Sequence, residues 1–271
     1  MVRNPMNPHQ VSRISLDLTS VDCIVFWTKN PEKMLPKLDL IKDYPYYFQL
    51  TLNPYDISLE PDVPRKAAVV AAFKRLSDII GPQRIIWRYD PILLNGTIDM
   101  EYHVRYFDVL AKKLQGYTSK CVISFIDSYR KADKAFKAKG IVQLDDEAKR
   151  LISQKVSVIA AGYGLTVETC AEEIDLNAFG IGHASCIDTD LIEAISGTRI
   201  IAKKDRNQRK ACGCAVSVDI GAYDTCPHGC LYCYANASQD AVKRNTANHE
   251  ADYPLLCSRL TELDKIYERR G

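Results

Sequence analysis

Cys23-Ile-Val-Phe-Trp-Thr-Lys-Asn-Pro31 opens with an unbroken apolar run and stops at three polar residues and a proline. The run from Cys23 to Trp27 is too short for a helix and lacks the polar alternation of a half-solvated strand, so it predicts a strand buried on both faces, as in a parallel sheet. Tyr46-Tyr-Phe-Gln-Leu-Thr-Leu-Asn-Pro54 repeats the pattern with the same Asn-Pro stop. Between the two, Met34, Leu38 and Ile41 fall at helical spacing within 31–44. Strand, helix, strand is the unit, and the chain repeats it.

Asp62 is the expected cap of a helix whose Val69, Phe73, Leu76 and Ile80 share a face, with Gly81-Pro82 stopping it. Arg84 to Trp87 follows as a strand that delivers Arg88 and Asp90 to its end. Asp99 opens a helix carrying Val104, Phe107, Leu110 and Leu114, Cys121 to Ile126 is a strand running into Asp127, and Asp145 caps a helix through Leu151, Ile152 and Val156. Leu165 to Thr169 reads as a strand ending near Cys170 and Glu172, Ala178 to His183 as a short one, and Asp190 to Ile195 as a helix after Asp188. Val216 to Ile220 is the last expected strand, Val11 to Leu16 belongs to an N-terminal hairpin, and 253–270 reads as a terminal helix with Leu256, Leu260, Leu263 and Tyr267 on one side. About seven strands alternating with helices predict an α/β fold of the TIM-like (β/α)8-type barrel, one domain over 1–271, with a doubly wound sheet as runner-up. The eighth strand is then absent or supplied by the N-terminal residues. In a barrel the strand ends share one mouth, where Lys29, Asn30, Asn53, Arg88, Asp90, Asp127, Glu172 and Asp188 would meet.

Val216 to Ile220 leads into a cysteine-rich segment, 211–236, whose centre is Cys226-Pro-His-Gly-Cys230-Leu-Tyr-Cys233. Three thiolates at C-x3-C-x2-C spacing can reach three irons of a cubic [4Fe-4S] cluster, with Gly229 allowing the turn. Structural zinc is the alternative, but zinc loops usually pair two C-x2-C-like knuckles, so the spacing favours iron. Cys212 and Cys214 supply a fourth ligand, bind a second metal, or form a reactive pair beside Lys203, Lys204, Arg206, Arg209 and Lys210. Cys170 and Cys186 are small buried residues or, if both reach the mouth, ligands; Cys23, Cys121 and Cys257 read as core. His183 and His228 are candidates for proton transfer, although a lone histidine is more often structural.

The cysteine loop resembles that of the radical S-adenosylmethionine enzymes, in which an aromatic often precedes the third cysteine, as Tyr232 does here. Two departures stand out: the loop lies near the C-terminus rather than after a first strand, and no Gly-Gly-Glu motif follows it. Val21 to Pro31, Arg88-Tyr-Asp-Pro91 and Cys212 through Asn236 together resemble the uncharacterised bacterial family DUF1848. That resemblance implies a barrel-like domain with a radical S-adenosylmethionine-like cluster loop and no assigned reaction. Relatives usually carry a first strand and helix ahead of this point, so Met1 reads as an internal or misannotated start and the barrel as incomplete. If Cys212 or Cys214 takes the fourth iron the cluster is closed, and the alternative is a non-radical enzyme or an electron carrier; the function expected is a redox enzyme whose cluster, held by Cys226, Cys230 and Cys233, keeps one iron open. Tyr232, Asn30, Glu172 and Asp188 would then hold S-adenosylmethionine, and Arg88, Asp90, Lys29 and Asp127 the substrate chemistry.

Composition narrows the setting. With 271 residues, 46% of them hydrophobic, the chain can bury one sizeable core. Lys and Arg number 36 against 34 Asp and Glu, a net +2 that gives no general argument for nucleic acid, although the basic run 203–210 keeps such a binding module as an alternative. Ten cysteines without a recognisable signal peptide suggest a reducing cytoplasm rather than a disulfide framework, and no apolar run is long enough to span a bilayer. A small or anionic substrate is the expected partner, with an electron donor if the protein is redox-active.

Overall fold

The computed structural model of the chain describes residues 1–127 and 133–269. Two sheets organise it. In the small one, β1 (Val2–Arg3) pairs antiparallel with β2 (Gln10–Ile14). The large one holds β3 (Ile24–Thr28), β4 (Tyr46–Thr51), β5 (Ile85–Ile92), β6 (Lys120–Phe125), β7 (Thr166–Thr169) and β8 (Gly182–His183). All are parallel, and their order in space is their order in sequence. The helices are α1 (Lys66–Ile80), α2 (Met100–Leu114), α3 (Asp133–Ala138), α4 (Asp146–Gly162), α5 (Thr189–Ser196) and α6 (Gln239–Ala247).

Alternation along the strands divides the core in two. Phe48, Leu50, Trp87, Tyr89, Cys121 and Ile123 pack against Val69, Phe73 and Leu76 of α1, Phe107 and Leu110 of α2, and Ile152 and Val156 of α4. Trp87 stacks on Phe107 with ring centroids 4.8 Å apart. Each fully buried Leu or Phe here contributes about 1.5–3 kcal/mol. The other face carries Tyr47, Ile86 and Val122, and α5 covers one end of it with Ile192 and Leu191. Nearer the C-terminal strand ends that face turns polar, with buried Gln49 and Arg88.

The expected α/β architecture with a parallel sheet is present. Among the described residues the hydrogen bonding joins six strands and leaves β3 and β8 at the edges, so no closed barrel is formed. The N-terminal hairpin forms as expected, but it belongs to the small sheet and supplies no strand to the large one.

Other expectations need correction. Residues 253–270 are not a helix: the stretch forms turns and then β9 (Lys265–Arg269), which runs parallel to β2; residue 270 lies outside the described range. Tertiary contacts override the helical spacing, because Arg3 holds Asp264 at 2.6 Å and the Arg259 carbonyl at 2.8 Å, committing the following backbone to the ladder. Val216 to Ile220 forms no strand; only Ala215 makes a bridge, to Lys204, and the two-residue β8 is too short to template a further partner. The helix within 31–44 is a 3-10 helix over Leu35–Ile41, with Pro36 near its start. Asp62 does not cap α1, which begins after Pro64 with Arg65 at its N-cap. Asp99 and Asp145 do cap, accepting from the Tyr102 and Ala148 amides at 2.7 and 2.8 Å.

Candidate functional site

The loop carrying Cys226, Cys230 and Cys233 is tied at its base and docked at its tip. At the base, the Asp224 amide donates to the Ala235 carbonyl at 2.9 Å, and Asn236 Nδ2 donates to the Cys226 carbonyl at 2.7 Å. At the tip, the Leu231 amide donates to the Leu59 carbonyl at 3.0 Å and the Asp62 amide to the His228 carbonyl at 3.2 Å. Gly229 sits at φ 63°, and a Cβ there would lie 2.9 Å from Gln239 Nε2 and 3.1 Å from Asp62 Oδ2, so the turn demands glycine for both conformation and space. All three thiols are half-buried. Burial pushes the Cys230 thiol up to about 12 and raises Cys226, with the Lys29 charge opposing both.

Tyr232 fastens this loop to the sheet. Its hydroxyl meets Lys29 Nζ at 2.9 Å, Asn53 Nδ2 at 3.2 Å and the Glu60 carboxylate, and its ring lies edge-on to Tyr55. Glu60 is the hub: it also binds Lys29 at 2.8 Å and Lys66, and it is 2% exposed. Burial raises its affinity for a proton, and the two lysines reverse that and hold the carboxyl below its ordinary range. A buried carboxylate with two ammonium partners and a phenol is satisfied on both oxygens. Nothing in Leu59-Glu60-Pro61-Asp62 flags this hub in the sequence beyond an acid placed next to an apolar residue.

A second cysteine group sits at the polar face of the large sheet. Cys170 follows β7, Cys186 follows β8, and Cys212 and Cys214 arrive from a distant segment to pack with them. Arg88 Nη1 donates to Cys186 Sγ at 3.0 Å, while Nε donates to Asp90 Oδ2 at 2.7 Å. Tyr47 and Gln49 hold the Cys186 carbonyl at 2.5 and 3.1 Å. Cys212 and Cys214 therefore lie with Cys170 and Cys186. Tyr47 and Gln49 carried no motif, and only their position on a strand face opposite the helices marks them.

The sequence-predicted residues fall into separate places. Lys29, Asn53, Arg88 and Asp90 cluster at the strand ends; Asn53 holds the Asp90 backbone through its amide oxygen at 2.8 Å and its Nδ2 at 2.7 Å. The same Nδ2 reaches the Tyr232 hydroxyl at 3.2 Å, which brings the loop beside the end of β5. Glu172 is buried with its oxygens on the Phe125 amide at 2.9 Å and on Lys149 at 3.2 Å. Asn30 forms a local turn with the Glu32 amide at 3.1 Å, and Asp127 is half-buried and paired with Arg209. Asp188 stands apart: it caps α5 and binds Lys120, the first residue of β6, at 3.3 Å, which puts it toward the opposite end of the sheet. His183 is exposed beside Thr169, and His228 is tied to the Asp62 carbonyl at 3.1 Å. In the basic run, Lys204 donates to the Lys210 carbonyl at 2.6 Å.

Among the described residues no group of three or more His, Cys, Asp or Glu side chains is placed so that it could hold a metal ion as it stands, and no helix is long and apolar enough to cross a membrane. A family model described as a domain of unknown function, DUF1848, matches residues 1–235. No curated protein and no solved structure matches the chain.

Proposed function

Because the chain belongs to the DUF1848 family, whose description assigns no reaction, we propose from its own geometry that it is an iron–sulfur protein of the radical S-adenosylmethionine-like kind. Cys226, Cys230 and Cys233 would hold a [4Fe-4S] cluster. The observation that carries this reading is the segregation of the cysteines: the loop offers three thiols, while Cys212 and Cys214 pack against Cys170 and Cys186. Three ligands on a cubic cluster leave one iron for an exchangeable molecule. A reduced cluster of this type supplies one electron to a bound sulfonium such as S-adenosylmethionine, and an electron donor must restore it.

The chain's own residues have definable parts in this reading. Lys29, 14% exposed at its side chain, lies beside the loop and offsets the negative charge of a thiolate-bound cluster. Tyr232, Asn53 and Glu60 fix the loop on the strand ends rather than touching a cofactor directly. The Arg88–Asp90 pair lies where a substrate would approach, and Asp90, 19% exposed at its side chain, is the member open to it. Consecutive strand order, without the reversal that marks a doubly wound sheet, supports a barrel-type winding with the loop over its mouth.

The test is anaerobic reconstitution with iron and sulfide, followed by electron paramagnetic resonance of the reduced protein with and without S-adenosylmethionine. About four irons at the loop, as one cubic cluster requires, and a spectrum that changes with the sulfonium support the proposal. Cys230→Ala is expected to abolish cluster assembly while the far-ultraviolet circular dichroism of the sheet persists; a full cluster in that variant overturns the ligand assignment.

A further inference from the structure

We propose that Cys170, Cys186, Cys212 and Cys214 form a second metal site, separate from the loop: a tetrahedral four-thiolate centre for one divalent ion of the zinc class. It stands independently of what the loop binds. The four cysteines come from three remote parts of the chain and meet on one face of the large sheet, where Cys186, Cys212 and Cys214 are each less than 10% exposed. Cys170 Sγ lies 3.4 Å from Cys186 Sγ, and the Cys186 amide donates to Cys214 Sγ at 3.1 Å. Cys212 packs in the same buried cluster, so the four side chains are gathered in one place.

Spacing selects the kind of metal centre. Sulfurs bound at about 2.3 Å to one tetrahedral ion are about 3.8 Å apart, close to the 3.4 Å seen for Cys170 and Cys186. A cubic cluster places each thiolate on a different iron and needs the sulfurs farther apart than touching thiols. Side-chain rotation would bring the four thiols round one ion, which displaces their protons on binding. Thiolates select a soft or borderline cation, and zinc is the common ion of closed four-cysteine sites.

The surroundings are those of a supported site. Arg88 Nη1 donates to Cys186 Sγ at 3.0 Å, placing a buried guanidinium against a centre that carries excess negative charge once four thiolates bind a divalent ion. Gln49 Oε1 accepts from the same Nη1 at 3.3 Å, and Tyr47 and Gln49 fix the Cys186 backbone. A Cβ on Gly213 would lie 2.6 Å from Ser185 Oγ, so glycine is what lets the Cys212–Cys214 turn approach the residues after β8. A disulfide between Cys170 and Cys186 would leave Cys212, Cys214 and the Gly213 approach without a purpose.

Cobalt(II) titration of the full chain under reducing, anaerobic conditions tests the site. The chain used carries Cys226→Ala, Cys230→Ala and Cys233→Ala together, so that loop chemistry is removed. Uptake of about one ion, as a single tetrahedral site requires, is expected, with intense visible ligand-field bands and thiolate-to-cobalt absorption in the near ultraviolet, both bleached by zinc. Adding Cys214→Ser or Cys170→Ser should lower the thiolate-to-cobalt intensity in step with the ligands lost. If those variants fail to fold, bleaching by zinc in the loop variant still decides. No uptake, the weak spectrum of an octahedral site, or iron with sulfide recovered in place of a single ion would each overturn the proposal. Failure of the loop to build a cluster in the wild-type chain, with cobalt binding intact, would count against the proposed function alone.

Discussion

Tyr232 illustrates how one side chain can be read from spacing yet have its surroundings set by the fold. An aromatic before Cys233 was visible in the sequence, but its partners Lys29, Asn53 and Glu60 lie far away along the chain and nothing local points to them. The cysteine spacing was legible for the same reason: C-x3-C-x2-C is a local pattern. The assembly of Cys170 and Cys186 with Cys212 and Cys214 depends on strand order and was legible only as an open alternative. Replacing Tyr232 by Phe removes one donor from a buried carboxylate that keeps two lysines, so a loss of about 1–3 kcal/mol is expected. Urea denaturation followed by tyrosine and tryptophan fluorescence measures it, and an unchanged midpoint would show that the hydroxyl carries no weight.

At the scale of elements, buried strands and capped helices were readable wherever the signal was local. Asp99 and Asp145 sit at their caps because a short acidic side chain reaches the second or third amide of its own helix. Asp62 failed as a cap because Pro64 and the docking of the cysteine loop control the entry to α1. The terminal segment failed because its leucine spacing is helical while its partner, β2, lies some 255 residues away in the chain. Edge strands with charged faces, as in Lys265–Arg269, carry little periodic signal. Removing residues 265–271 should therefore raise amide exchange at Gln10–Ile14 and leave the amides of β4 to β6 protected; hydrogen exchange read by mass spectrometry makes the comparison. Loss of protection across both sheets would mean that β9 supports more than its own ladder.

For the whole molecule, the parallel architecture followed from repeated strand–helix alternation, whereas closure into a barrel depends on pairing between sheet edges, which no local pattern encodes. Acid stability is likewise a property of the assembled core. Burial lowers His103 from 6.5 to about 4, with its ring nitrogens held 2.8 Å from the Tyr89 hydroxyl and the Leu93 carbonyl. The unfolded chain takes up that proton first, so stability is fully present above about 6.5 and declines as pH falls toward 4, by on the order of 3 kcal/mol. Glu60, held low by its lysines, adds a further loss as pH falls through its folded value. Chemical denaturation between pH 7 and 4 should show this decline, and His103→Asn, less stable at neutral pH, should flatten it; an equal slope in both proteins would assign the acid sensitivity elsewhere.

The docking of the cysteine loop onto Leu59–Asp62 also dictates a sequence of events during synthesis. A chain made from its N-terminus exposes all of β3 to β8 before Cys226 emerges, and N-terminal regions begin to fold first. The platform for the loop is thus made before the loop, and β9, made after it, reaches back to β2. Any metal carried by the loop is then a late addition, made to a scaffold whose strands were synthesised before it.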